Sequence, residues 1–125
     1  MDGDSQGMVT PDEIIAERVA RNQATFRAAN ERIEVAAERL GDTVEPMPFI
    51  CECSEPSCTD IVALTLAEYE AVRDSSRRFF AVPGHENCEQ DGVVVAKVRE
   101  RRERYTILEK VGRAAEVAEE LDTRG

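Results

Sequence analysis

The sequence predicts an α+β fold, a long N-terminal helix followed by a small module of short antiparallel strands with one or two further helices. Three observations lead there. A helix-start signal at Thr10 opens some thirty residues of heptad-spaced apolar positions. Pro46 and Pro48 then stop helical patterning. Short β-prone runs, each bounded by turn residues, fill most of the chain beyond them.

Residues 1–9 are rich in Gly and Asp and are expected to be disordered. Thr10 with Glu13 makes a capping box, and Pro11 occupies the first helical position, where its missing N–H costs nothing. Gly41 supplies the left-handed residue that ends a helix. The 10–41 segment is therefore read as one helix, about 45 Å long. Ile15, Val19, Asn22, Phe26, Ala29, Ile33, Ala36 and Leu40 alternate four and three apart, which predicts a seam for self-association or for a partner helix; the plainer alternative is an amphipathic helix folded back onto its own domain. Asn22 falls on that seam, where a buried amide fixes register. A boundary near residue 45 separates the helix from a module spanning 49–111.

Within the module, Phe49-Ile50 and Ile61–Leu64 read as the two strands of a hairpin. Thr65 and Glu68 form a second capping box ahead of a short helix ending near Arg73. Phe79–Val82 is β-prone and stops at Pro83-Gly84. The stretch 91–104 suits either a helix or a strand, and Tyr105–Val111 is the last strand candidate. Residues 112–125 are expected to be a tail or a short helix.

Cys51, Cys53 and Cys58 crowd into eight positions of a chain with four cysteines in all. Residues i and i+2 of an extended strand point the same way, so Cys51 and Cys53 can face one ion. The Ser54–Ser57 turn brings Cys58 back as a third thiolate. A structural Zn2+ takes four Cys or His ligands in a tetrahedron, so the fourth is sought in the His85–Cys88 segment. His85, the only histidine, follows the Pro83-Gly84 turn and is placed ahead of Cys88. The module is thus expected to be a zinc-knuckle domain. Its low aromatic content, 5% with no Trp, predicts a thin core that a metal would staple.

The run Phe49-Ile50-Cys51-Glu52-Cys53 with Cys58, the run Leu64–Glu70 and the turn Pro83-Gly84-His85-Glu86 resemble a family of small uncharacterised bacterial proteins. The helix from Arg21 to Arg32 is similar to the one that precedes the module in that family. The resemblance covers about residues 18–120. It implies a Cys3His zinc site with His85 as fourth ligand and leaves Cys88 outside the pattern. It carries no established activity.

A net charge of −10 disfavours general attraction to phosphate backbones and nucleic acid. One basic run stands against it, Lys97, Arg99, Arg101, Arg102 and Arg104, and keeps a nucleic-acid-binding finger as an alternative. The plainer reading of that run is a solvated face with salt bridges to Glu100 and Glu103. No segment is apolar enough to span a bilayer, and residues 1–7 lack the features of a signal peptide. A cytoplasmic location is therefore expected, with reduced thiols. Glu52 and Glu86 adjoin proposed ligands, but the sequence has no phosphate loop, no H-E-x-x-H and no nucleophile elbow. The expectation is therefore a non-catalytic interaction or regulatory protein that binds another protein or itself through the 10–41 helix. A thiol–zinc redox switch, with Cys88 as resolving thiol, is a further alternative.

Overall fold

A computed structural model describes residues 9–41 and 45–124. Residues 1–8, most of the segment expected to be disordered, lie outside them, as do linker residues 42–44. Helix α1 (Pro11–Leu40) begins with the predicted capping box: Glu13 N–H donates to Thr10 Oγ1 at 3.1 Å, and Thr10 N–H to Glu13 Oε1 at 3.0 Å. Gly41, at φ 78°, ends it in the left-handed conformation. No helix among the described residues is long and apolar enough to cross a membrane.

Strands β1 (Met47–Ile50) and β2 (Ile61–Leu64) pair antiparallel as the expected hairpin. Helix α2 (Leu66–Arg73) starts at the Thr65–Glu68 capping box. Strands β3 (Arg78–Ala81), β6 (Ala96–Arg101) and β7 (Thr106–Lys110) form an antiparallel sheet in the order β3-β7-β6. A two-residue hairpin, β4 (Glu89–Gln90) and β5 (Val93–Val94), lies between β3 and β6 in sequence. Its turn is Asp91-Gly92, both at positive φ (50° and 82°), the conformation that Asp-Gly accepts in tight hairpins. The 91–104 segment thus holds two strands of different sheets, β5 and β6, rather than a helix. Residues Gly112–Leu121 form helix α3, which buries Ala114, Ala115, Val117 and Ala118.

The core centres on three of the six aromatic residues. Phe49 stacks on Tyr69 at 4.5 Å between centroids, and both meet Phe80 edge-on. Cys51 and Cys53 belong to the same buried cluster.

The packing of α1 corrects the expected seam. The residues it buries are Ala16, Val19, Ala20, Gln23, Arg27, Asn30, Glu34 and Ala37. The heptad period is real, but the buried line runs one residue ahead of the apolar one. Of the expected seam only Val19 is buried, whereas Ala36 and Leu40 are exposed. The helix lies against its own chain. Arg113 pairs with Glu17, and Arg124 with Glu31 and Glu34, so α3 runs alongside α1 in the same direction. Glu34 meets Arg124, and the other three polar residues, Gln23, Arg27 and Asn30, can face inward because a polar surface of the module meets them.

Candidate metal centre

That surface is the strand extension carrying the cysteines. Cys51 N–H donates to Asp60 O at 2.9 Å, continuing the β1–β2 pairing by one residue. Glu52 N–H donates to Phe80 O at 3.0 Å and joins this extension to β3. Alternation along the extended chain sends Cys51 and Cys53 to one side and Glu52 to the other. A turn closed by Cys58 N–H on Glu55 O returns Cys58 toward the pair. On the far side, Gly84 at φ 99° and a bond from His85 N–H to Val82 O swing the imidazole in.

One ligand atom from each of Cys51, Cys53, Cys58 and His85 lies within 4.8 Å of all the others. Nδ1 of His85 is 3.7 Å from Sγ of Cys51 and 3.7 Å from Sγ of Cys58. Metal–sulfur bonds of ~2.3 Å and metal–nitrogen bonds of ~2.0 Å put tetrahedron edges at about 3.5–3.8 Å. The two edges from His85 match those dimensions, and the cluster can hold a metal ion. Its donor set, three thiols and an imidazole, suits thiophilic ions. Burial pushes the Cys51 and Cys53 thiols up from their ordinary range. Val82 N–H, 3.3 Å from Cys51 Sγ, favours the thiolate. Asp60 Oδ2 lies 3.5 Å from His85 Nε2, where a carboxylate can orient a ligating ring.

Helix α1 grips the opposite side of this strand. Arg27 holds the fully buried Glu52 carboxylate with two bonds, Nε to Oε2 at 2.9 Å and Nη2 to Oε1 at 2.8 Å. Asn30 donates to Glu52 Oε2 at 3.0 Å and bonds both backbone groups of Ile50, at 2.7 and 2.8 Å. Its amide thus imitates a neighbouring strand along the free edge of β1. Gln23 Nε2 donates to Glu52 O at 2.9 Å, and Asn22 Nδ2 to Ser54 O at 3.4 Å. Asn22, expected to set register between helices, instead holds the knuckle of its own chain. The Arg27 guanidinium also sits 4.0 Å above the Phe79 ring.

All four residues predicted as ligands come together. Cys88 stands outside the group, packed between the two core clusters, with its carbonyl accepting from Val95 and Ala96 N–H. Neither carboxylate beside a ligand is a free base. Glu52 is committed to Arg27 and Asn30, and Glu86 Oε2 accepts from Gly84 N–H and Thr106 Oγ1 at 2.9 Å each. In the basic run Arg99 pairs with Glu109, Arg101 with Glu86, Arg102 with Glu100 and Arg104 with Glu68. Of the two carboxylates expected to neutralise it, Glu100 does so in part, and the other partners come from elsewhere in the fold. Sequence reasoning missed Gln23, Arg27, Asn30 and Glu52. Their signal was present as a polar line at three- and four-residue spacing, with one carboxylate set between two cysteines. No family model, curated protein or solved structure matches the chain.

Proposed function

We propose that the cluster holds one structural Zn2+ and that the chain is a non-catalytic interaction or regulatory protein of the cytoplasm, with α1 as its contact element. The carrying observation is the donor set: three thiols and an imidazole whose ligand atoms all lie within 4.8 Å of one another. Catalytic zinc keeps one position for water, and three thiolates leave the metal little charge with which to activate one. The engagement of Glu52 and Glu86 supports the same reading. Zinc would tie the 51–58 knuckle to the turn at His85 and so fasten the hairpin to the end of β3. Elemental mass spectrometry of untagged protein should give close to one zinc per chain. Cys53→Ala should lose both the metal and the near-UV signature of packed aromatics. Four free thiols on a stable metal-free fold would overturn the reading.

A second reading, the thiol–zinc switch, draws on the open groove that Cys53, Cys58 and His85 line with Glu55, Ser57 and Asn87. Hydrogen peroxide entering there would take two electrons from two thiolates, forming a disulfide and water and releasing zinc. Retention of zinc after peroxide treatment would dispose of it. The nucleic-acid reading draws no support from the 97–104 run, four of whose five cations have carboxylate partners.

A further inference from the structure

The face of α1 turned away from the core carries a charge pattern opposite to that of the whole chain. Steps of about 100° per residue place Ile14, Arg18, Arg21, Thr25, Ala28, Arg32, Val35 and Arg39 along one line, diametrically opposite Gln23, Arg27 and Asn30. All eight residues are exposed. Among the described residues, Arg18, Arg21, Arg32 and Arg39 have no ion-pair partner. The carboxylates that flank this line, Glu17 and Glu31, are held, the first by Arg113 and the second by Arg73 and Arg124. Glu38 projects about 100° away from Arg39. The result is a stripe about 32 Å long whose unpaired charges are all cationic, on a chain of net charge −10. Thr25 and Ala28 interrupt it with small side chains that permit close approach, and Ile14 and Val35 add apolar contact. A shallow depression lies at each end, one beside Arg18 and Arg21, the other beside Arg32 and Arg39.

We propose that this face docks an acidic amphipathic helix of a partner protein. Charge complementarity selects the occupant. A second copy of α1 does not fit: parallel pairing sets each arginine against itself, and antiparallel pairing sets Arg18 against Arg39, like charges that destabilise association. Duplex nucleic acid fits less well. Its phosphates, one charge per ~1.7 Å of axis, would lie within a Debye length of about 8 Å of an acidic body. The gap of about 16 Å between Arg21 and Arg32 holds no cation for such a backbone. Small and apolar residues fill that gap, which suits helix-on-helix packing at about 8–10 Å between axes.

The inference rests on the reading of the chain as a metal-stapled interaction protein and names its partner class. The test uses full-length, zinc-loaded protein and a labelled alanine/leucine helix of about 28 residues with glutamates at heptad spacing. Controls are the same peptide with glutamine for glutamate and a DNA duplex of similar length. Expected are saturable binding of the glutamate peptide alone, weakening with salt, and at least a ~10-fold loss in Arg21→Glu/Arg32→Glu. That variant alters exposed residues and should keep its zinc and its circular dichroism. No binding by metal-loaded protein would overturn the inference and leave the metal reading intact. Binding unaffected by the charge reversal, or tighter binding of the duplex, would also overturn it. Protein that purifies folded but without metal would instead undercut the reading beneath it.

Discussion

Arg27→Ala should be among the most damaging single substitutions on α1. The change strands the Glu52 carboxylate, which is 0% exposed, without its counter-charge. Removing one partner of a buried ion pair costs about 3–5 kcal/mol. Glu52 would keep one bond from Asn30 at 3.0 Å and a long one from Phe80 N–H at 3.4 Å, which argues for the lower end. Loss of the guanidinium over Phe79, and of its bond to Arg78 O, adds about 1 kcal/mol. The sum is about 4 kcal/mol, against a total stability on the order of 6–19 kcal/mol for a chain of this length. Urea unfolding of metal-loaded protein, followed by circular dichroism, measures it. The double variant Arg27→Met/Glu52→Gln removes both charges and should recover a substantial part of the loss. A loss below about 1 kcal/mol for Arg27→Ala, or no recovery in the double variant, would refute the claim that this pair anchors the knuckle to the helix.

Three further outcomes are expected. His85→Ala should lower zinc per chain and Cys88→Ser should leave it unchanged, as elemental analysis would read; the reverse would move the fourth ligand to Cys88. Lys110 is 1% exposed, its Nζ has no hydrogen-bond partner, and burial pushes its pKa down to about 7. A lysine depressed in the folded state binds fewer protons there than when unfolded, so stability should climb from about pH 7 toward the ordinary lysine range near pH 10.5. Lys110→Met should stabilise by about 1–3 kcal/mol at neutral pH and flatten that slope in denaturation curves. Arg73 binds Asp122 through two bonds of 2.9 and 3.1 Å and lowers its pKa to about 2. A depressed carboxylate gives stability that is complete above about pH 4 and is lost as pH falls toward 2, so Asp122→Asn should remove part of the acid limb, worth about 1–2 kcal/mol.

The element boundaries were legible because local chemistry writes them. Thr10, Thr65 and Gly41 act within four residues of themselves. The candidate ligands were legible for a similar reason, since three crowded thiols and a lone histidine leave few other arrangements. The inward face of α1 was not, and the reason is physical. Hydrophobic periodicity assumes that apolar residues go inside, and on this helix the better apolar line is Ile15, Phe26 and Ile33. What decides the orientation is satisfaction of polar groups: Glu52 and the Ile50 backbone offer bonds that Gln23, Arg27 and Asn30 complete. Those partners lie twenty or more residues away and cannot be weighed from the helix alone. The 91–104 segment was ambiguous for a related reason, because its valines serve either period and only pairing with β7 selects the strand.

The docking of α3 beside α1 bears on how the chain is made. Arg113 reaches Glu17 across 96 residues, and Arg124 reaches Glu31 across 93. On a ribosome the long helix emerges before the segment that covers its flank. Until residues 50–52 are made, the inward arginine, asparagine and glutamine of α1 have water for company, which is no hardship for polar side chains. A leucine stripe left uncovered for so long would invite aggregation. A polar inner face suits a helix that must wait for its neighbours.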